Sequence, residues 1–191
     1  LNYMDIHTVV VSCGTCMDQL TKYQFEQIFP GCRLLDIHEY LMQKGVVMQR
    51  DSGTRYLYHD PCHSPMKQYN PLQVVGKLMD REVELSDRCC GEAGTLGISR
   101  PDIANQLRFL KEEGLRQAAG RLTGGGQAKG AKVKLLTSCP ACQQGLSRYR
   151  DSTGLQVGYV VEELVRDRLG EGWQKAFVER VARGGIERVL L

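Results

Sequence analysis

The sequence predicts an α/β fold with a mainly parallel sheet flanked by helices, and a pseudo-repeat within that fold. Short strand-like runs of β-branched and apolar residues alternate with amphipathic helical runs along the 191 residues. This alternation is typical of a parallel sheet covered by helices. A strand followed by a Cys-x-x-Cys motif and a helix occurs twice in the chain, which indicates the repeat.

The first fifty residues are predicted to contain two strands and two helices. A β-branched run at residues 7–12 predicts a buried strand, and an amphipathic run follows it as far as residue 29. Pro30 and Gly31 end that helix. A short strand is expected around residues 34–35, and a helix at residues 36–44 carries Ile37, Tyr40 and Leu41 on one face.

The middle of the chain is predicted to form strands at residues 55–58 and 83–85, separated by a helix that begins at Asn70 and Pro71. Asparagine is a favourable N-cap, and proline suits the first helical position. The longest helix is expected to open near residue 99. Its apolar stripe is expected to pack on the core through five residues, namely Ile103, Leu107, Leu110, Ala118 and Leu122.

The last third is predicted to begin after a flexible glycine-rich connector at residues 124–130. A strand is expected at residues 132–137, with a helix through residue 149 and further helices at 159–169 and 173–183. Residues 9–20 match residues 135–146 in pattern, and similar helical runs follow at 37–41 and 160–164.

The repeat predicts three regions. Residues 1–50 are assigned to the C-terminal part of a first repeat, residues 51–170 to a complete second repeat, and residues 171–191 to a C-terminal helix and tail. The chain begins at Leu1 with no initiator methionine, so we expect a fragment of a longer polypeptide.

Composition narrows the class of protein. The formal net charge is +3, and no cluster of lysines and arginines is interleaved with aromatic residues, so the sequence predicts no nucleic-acid partner. No apolar run approaches the roughly 18 residues of a membrane span, and no signal-peptide layout is present at residue 1. We expect no transmembrane segment and a cytoplasmic location, with peripheral attachment to the inner membrane face as a further option.

The cysteines are the strongest chemical signal. Five of the eight lie in three clusters, at Cys62, at the vicinal pair Cys89 and Cys90, and at Cys139 and Cys142. Vicinal and Cys-x-x-Cys spacings in a reducing compartment indicate metal or redox chemistry. Because the clusters follow predicted parallel strands, we expect them to meet at one edge of the sheet and to form a multi-sulfur metal site.

The local chemistry favours a cluster of several irons. Amides at a helix start stabilise the negative charge of thiolates, and Pro140 suits that position because it needs no N–H. Adjacent side chains such as Cys89 and Cys90 diverge, so a single tetrahedral ion would satisfy them poorly. Gly91 and Gly94 would let the backbone approach the sulfur atoms closely.

Taken together, Cys62, the Cys89-Cys90-Gly91 run and the Cys139 to Cys142 motif resemble the CCG cysteine-rich domain. That domain occurs in tandem copies in heterodisulfide reductase, in iron-sulfur subunits of glycolate and lactate oxidation, and in fused FAD-linked oxidases. The stretch from His59 to His63 is also similar to it.

The resemblance implies an iron-sulfur electron-transfer module. A flavin-binding domain or subunit that oxidises a 2-hydroxy acid of the lactate or glycolate type would pass electrons through the module to an unidentified acceptor. The chain shows no flavin or nicotinamide fingerprint, so FAD is expected only outside it. The implied cofactor is a 4Fe-4S cluster, with the noncubane form as the candidate type. Its implied ligands are Cys62, Cys89, Cys90, Cys139 and Cys142.

The remaining candidates receive lesser roles. Cys13 and Cys16 are expected to be ligands of a second site whose partners precede Leu1, and Cys32 a turn or core residue. His59 and His63 are expected to hydrogen-bond around the cluster without ligating it, and Gly91 and Gly94 to line it. Glu92 is expected to be a solvated loop carboxylate.

Two other functions use the same cysteines. A structural zinc ion would take four of the five thiols in a tetrahedron and leave one spare. Dithiol-disulfide exchange would use a Cys-x-x-Cys motif at a helix start, as in thioredoxin, and would leave Cys62 and the vicinal pair without a role.

Overall fold

A computed structural model of the chain describes residues 4–50, 53–92, 94–124 and 132–184. Two parallel sheets form the framework of the described residues. The smaller sheet pairs β1 (Thr8–Val11) with β2 (Arg33–Asp36). The larger sheet has the order β4-β3-β5-β6 and consists of β3 (Arg55–His59), β4 (Val83–Leu85), β5 (Val133–Thr137) and β6 (Gln156–Tyr159). Its three pairings are all parallel, so the predicted α/β class with mainly parallel sheets is confirmed.

Helices connect the two strands of the smaller sheet. Cys13 follows β1 and is the N-cap of α1 (Gly14–Lys22), and α2 (Phe25–Ile28) comes before β2. The single helix predicted as far as residue 29 is wrong, because Gln24 adopts a left-handed backbone with φ of 55° and ends the helical path. The carboxylate of Asp36 then caps α3 (Ile37–Gln43) by accepting from backbone N–H groups of its first turn.

The next connection agrees closely with the sequence. Asn70 caps α4 (Pro71–Met79), and its side-chain oxygen accepts from the amides of Leu72 and Gln73 at 3.0 and 3.2 Å. The strand β4 has the predicted bounds, and Tyr58 of β3 lies opposite Leu85 in the register. Both strands therefore end at the same edge of the sheet.

The long helix begins later than predicted and buries a different face. A short helix α5 (Leu96–Ser99) comes first, and α6 (Pro101–Thr123) starts only after Arg100 leaves the helical conformation. The predicted apolar stripe is partly wrong, because the side chain of Ile103 is 36% exposed. Small residues let the helix approach the sheet closely, and its buried face consists of Ala104, Lys111, Leu115, Ala118 and Ala119.

The last part of the chain contains a strand that the sequence analysis missed. After β5 come α7 (Pro140–Ser147) and α8 (Arg150–Thr153), and β6 then precedes α9 (Val160–Leu169) and α10 (Trp173–Gly184). The helix predicted from residue 159 is therefore preceded by four residues of strand, which pair with β5.

The pseudo-repeat is visible in the order of elements. The segment β1-α1-α2-β2-α3 has the same order as β5-α7-α8-β6-α9, and each contains one pair of parallel strands. The equivalent cysteines Cys13 and Cys139 share φ of −133° and ψ of 122° as N-caps. The three regional boundaries remain predictions. The connector at 125–130 and the tail from residue 185 lie outside the described residues.

The larger sheet is covered on both faces, and the two faces have different contents. Tyr56 and Tyr58 of β3 point to one face, where they pack with α4 and α9. Leu57 points to the other face, where α6 and α7 pack and where the thiols of Cys90 and Cys142 are part of the buried cluster. None of the described helices is long and apolar enough to cross a bilayer.

Candidate metal centre

Three cysteine-bearing loops meet at one edge of the larger sheet. They follow β3, β4 and β5, whose parallel register places His59 opposite Thr137 and Tyr58 opposite Leu85. The carboxyl ends of parallel strands share an edge, and this edge is where α/β folds bind ligands. The loops carry Cys62, the vicinal pair, and the Cys-x-x-Cys motif respectively.

The centre of this group is the contact between Cys90 and Cys142. Their Sγ atoms lie 3.2 Å apart, and the two residues are 3% and 4% exposed. His59 at the end of β3 joins them, and the ligand atoms of all three residues lie within 4.8 Å of one another. The described residues thus place two buried thiols and one buried imidazole around a common point.

The helix α7 supplies the other half of the Cys-x-x-Cys motif. Cys139 is its N-cap, and Pro140 occupies the first helical position, as predicted. A hydrogen bond from Cys142 and the amides of Cys142 and Ala141 lower the pKa of the Cys139 thiol to about 6. The pKa of Cys142 is raised, first by its contact with Cys139 and then by its contact with Cys90.

The vicinal cysteines have different surroundings. The Cys142 thiol, His59 and the amide of Glu92 lower the pKa of Cys90 to about 4. Cys89 is half-buried, and burial raises its pKa although the Gly91 amide donates to its sulfur at 3.4 Å. The pair therefore combines one thiolate-stabilising position with one that favours the protonated thiol until a metal replaces the proton.

Cys62 lies at the rim of the group. Its side chain is exposed, and its charge acts on the pKa of Cys89, which indicates proximity to the vicinal pair. His63 points elsewhere, since its Nδ1 atom lies 2.5 Å from a carboxylate oxygen of Asp18 on α1 and its side chain is 60% exposed. Of the two histidines named from the sequence, the structure brings only His59 to the buried sulfur atoms.

The glycines hold the loop after the vicinal pair in its path. Gly91 has a φ of +76°, and a Cβ atom there would lie 3.0 Å from Cγ of Arg108. Gly94 has a φ of +47°. Both lie in the left-handed region that glycine adopts at no steric cost.

Glu92 corrects the expectation of a solvated carboxylate. Its side chain is 25% exposed, pairs with Arg148 of α7, and lies 3.6 Å from Arg108 of α6. Gly145 of α7 leaves the space that the Glu92 side chain fills. Glu92 therefore ties the loop after the vicinal pair to the helix that carries Cys142.

The sequence analysis missed one residue of the site, Lys111 of α6. Its side chain is fully buried, and its Nζ atom lies 3.1 Å from Nδ1 of His59. Lys111 follows Ala104 by seven residues and precedes Leu115 by four, which is the spacing of a buried helix face. That spacing was the available signal.

The first Cys-x-x-Cys motif is separate from the buried sulfur group. Cys13 is half-buried and Cys16 is exposed, and contact with Cys13 raises the pKa of Cys16. Gly14 packs so closely on the carbonyl of His63 that a Cβ atom would overlap it. Cys32 is 2% exposed in the core.

The residues at the sheet edge fit a thiolate-held metal group. Thiolate sulfur and imidazole nitrogen are ligands for iron-sulfur clusters and for zinc. Nε2 of His59 is buried with no hydrogen-bond partner among the described residues, so a polar or metal-bound group is chemically appropriate beside it.

Comparisons with known proteins point to the same chemistry. An uncharacterized iron-sulfur protein of Methanococcus maripaludis is 26% identical over 86% of this chain and 32% of its own length. A second, from Methanocaldococcus jannaschii, is 32% identical over 56% of this chain and 22% of its own length. The chain is similar to iron-sulfur proteins. Its resemblance to the CCG cysteine-rich domain is confirmed.

Two further comparisons complete the result. One of the subunits of a fumarate reductase (CoM/CoB) from Methanothermobacter marburgensis is 26% identical over 80% of this chain and 29% of its own length. A protein-family profile described as a domain of unknown function (DUF3400) matches residues 147–191. No solved structure gave a significant match. The chain spans between 22% and 32% of the length of these three relatives.

Proposed function

We propose that the chain is an iron-sulfur electron-transfer module and that Cys62, Cys89, Cys90, Cys139 and Cys142 hold its cluster. The contact between the buried sulfur atoms of Cys90 and Cys142 carries the proposal. It joins the vicinal pair to the Cys-x-x-Cys motif, although the two cysteines are 52 positions apart in the sequence. The similarity to iron-sulfur proteins supports the same conclusion.

The protein would contribute binding, burial and hydrogen bonding. Five thiolates from three loops exceed the four ligands that zinc takes, and a cluster of several irons can use the excess. Amides at the start of α7 and of Gly91 face the sulfur atoms of Cys139 and Cys89. A bound cluster supplies one-electron redox chemistry, and a 4Fe-4S cluster of the noncubane type is the form proposed for this set.

The partner is proposed to be a flavin-binding domain or subunit that oxidises a lactate- or glycolate-type 2-hydroxy acid. The module would pass the electrons to a separate acceptor. Similarity to one of the subunits of a reductase supports a role beside another polypeptide. We place the protein in the cytoplasm, on the basis of its ordinary globular composition.

Anaerobic reconstitution tests the cluster. The chain is incubated with iron and sulfide, and iron and acid-labile sulfide are then measured per chain, followed by EPR of the reduced sample. We expect a cluster signal in the wild type and its loss in the double variant Cys89→Ser, Cys90→Ser. Cys32→Ala removes a buried thiol outside the site and should keep the signal. A wild type without cluster signal would disprove the proposal.

A second candidate is a structural zinc site, which the buried trio of His59, Cys90 and Cys142 favours. Two thiols and one imidazole, completed by Cys139, would give a tetrahedral ligand set. Metal analysis of the anaerobically purified protein separates the two functions. Bound zinc with neither iron nor sulfide supports the zinc site, whereas iron and sulfide in comparable amounts support the cluster.

The flavin partner needs its own test. The native complex that carries this chain is purified anaerobically, and lactate or glycolate is added while the absorbance of the cluster is followed. We expect bound flavin and bleaching of the cluster absorbance. A complex that contains no flavin, or whose cluster is reduced by dithionite but by neither acid, would disprove the proposed partner and leave the cluster proposal intact.

A further inference from the structure

A buried lysine lies behind the sulfur atoms. The side chain of Lys111 has 0% relative exposure, and its Nζ atom contacts five acceptors. Nδ1 of His59 lies at 3.1 Å and Oγ of Ser86 at 3.0 Å. The backbone carbonyls of Ser86, Asp87 and Arg88 lie at 3.2, 2.6 and 3.0 Å.

The five acceptors of Lys111 are all uncharged groups. A buried ammonium is costly unless a negative charge balances it. Burial lowers the pKa of Lys111 to about 8, whereas the charges of Cys90, Asp87, Cys89 and Cys142 act in the opposite direction. Three of these four balancing charges are thiolates of the proposed cluster site, so the lysine and the sulfur atoms are electrostatic partners.

The contact with Lys111 also fixes the orientation of the His59 proton. An ammonium group only donates hydrogen bonds, so Nδ1 of His59 must accept, and a neutral ring then carries its proton on Nε2. The ring is grouped with the sulfur atoms of Cys90 and Cys142 within 4.8 Å. His59 thus presents an N–H donor to sulfur, which agrees with a neighbour of the cluster better than with a ligand.

Lys111 is also placed to hold the entry to the vicinal pair. Residues 86–88 lead directly from β4 into Cys89, and all three carbonyls of that segment converge on the one ammonium group. Because α6 packs on the sheet through the same face, the lysine connects the helix, the loop and the end of β3.

We propose that Lys111 is a positioning residue that supplies the buried positive charge of the sulfur site and raises the reduction potential of its cluster. This inference rests on the proposed iron-sulfur function. A cluster held by thiolates is anionic, and one added electron makes it more so. A fixed positive charge in a poorly screened interior stabilises the reduced form more than the oxidised form.

The test is an EPR-monitored redox titration of the reconstituted chain. In Lys111→Gln we expect the ratio of reduced to oxidised cluster at a fixed potential to fall at least tenfold, which equals about 59 mV for one electron. Lys111→Arg keeps the charge and should restore most of the ratio. Lys134→Gln is the matched control, because Lys134 pairs with Glu163 at 2.9 Å rather than with the site.

A second variant covers the case in which Lys111→Gln does not fold. Ser86→Asp keeps the lysine and places a carboxylate beside its ammonium group, so it should also lower the reduced fraction. An unchanged ratio in a folded Lys111→Gln, or in Ser86→Asp where the first variant does not fold, would overturn the role of Lys111 alone. A wild type that forms no cluster would overturn both this inference and the proposed function.

Discussion

Gly145 is covered so closely by Glu92 that a Cβ atom on the glycine would overlap Cγ of the glutamate and lie 2.9 Å from its Cδ. Gly145 lies on α7, one turn after Cys142, and Glu92 lies two residues after Cys90. The close fit and the ion pair between Glu92 and Arg148 therefore fix the separation of the two buried thiols. Neither residue carries a ligand atom in the proposed site, but both position the residues that do.

Replacement of Gly145 by alanine is predicted to separate the two loops. The added methyl group must displace Glu92, and overpacking of this kind costs about 1–3 kcal/mol of unfolding free energy. We expect lower stability in chemical denaturation of the metal-free chain and less iron per chain after reconstitution.

Gly114→Ala is the matched control for this prediction. Gly114 lies on α6, where a Cβ atom would meet nothing within 4 Å. Alanine in a helix is favoured over glycine by about 1 kcal/mol, so this variant should be slightly more stable and should bind iron normally. Equal iron content in Gly145→Ala and Gly114→Ala would contradict the proposed positioning role.

Replacement of Tyr58 by phenylalanine is predicted to loosen the other pair of loops. The buried phenol lies 3.2 Å from a carboxylate oxygen of Asp60, which precedes Cys62, and 2.8 Å from Oγ of Ser138, which precedes Cys139. Tyr58 donates to the carboxylate and accepts from Ser138. Loss of both bonds should cost about 1–2 kcal/mol and speed amide exchange in both loops.

Tyr149→Phe is the control for the Tyr58 variant. The hydroxyl of Tyr149 is also buried but has no hydrogen-bond partner among the described residues. Its removal should leave the unfolding free energy nearly unchanged or slightly higher, because an unsatisfied polar group is lost. Similar losses of stability in the two variants would show that the Tyr58 bridge contributes little.

The strands and the convergence of the cysteine loops followed from the sequence because both depend on short-range patterns. Apolar, β-branched runs bounded by turns marked β3, β4 and β5. The strand β6 was missed because the four residues Gln156 to Tyr159 include a glycine and run directly into a helix. Its counterpart β2 was predicted, so the internal repeat could have revealed it.

Lys111 could not be predicted in the same way. Lysine is rarely fully buried, and its burial here depends on acceptors from β3 and from the loop after β4. That juxtaposition arises only when the helix packs on the sheet. The exposed side chain of Ile103 has the same origin, since the break at Arg100 and the small residues of α6 choose which face is buried.

Replacement of Asp18 by asparagine is predicted to weaken the contact between α1 and the loop after β3 in a pH-dependent way. Asp18 lies 2.8 Å from Nζ of Lys67 and accepts from His63, and these contacts lower the pKa of its carboxyl group. A carboxyl with a lowered pKa stabilises the fold above its unfolded value of about 3.9, and the effect is lost as the pH falls through the folded value.

The expected difference in unfolding free energy between wild type and Asp18→Asn is therefore present at neutral pH and disappears in strong acid. The pair is partly exposed, so its size should be no more than about 1 kcal/mol. Glu179→Gln on α10, whose side chain is 50% exposed, should show no comparable change with pH. A difference of constant size from neutral to strongly acidic pH would contradict the assignment to this carboxylate.

The first Cys-x-x-Cys motif is predicted to be dispensable for the cluster held by the second repeat. In the double variant Cys13→Ser, Cys16→Ser we expect iron and acid-labile sulfide per chain to equal the wild-type values. The reason is geometric, because among the described residues the buried sulfur and imidazole ligands come from His59, Cys90 and Cys142, whereas Cys16 is exposed beside Cys13. A loss of iron would mean that the first motif supplies ligands to the same cluster. Because Gly14 packs directly on the loop that carries Cys62, that loss would point to Cys62 as the thiol shared between the two repeats.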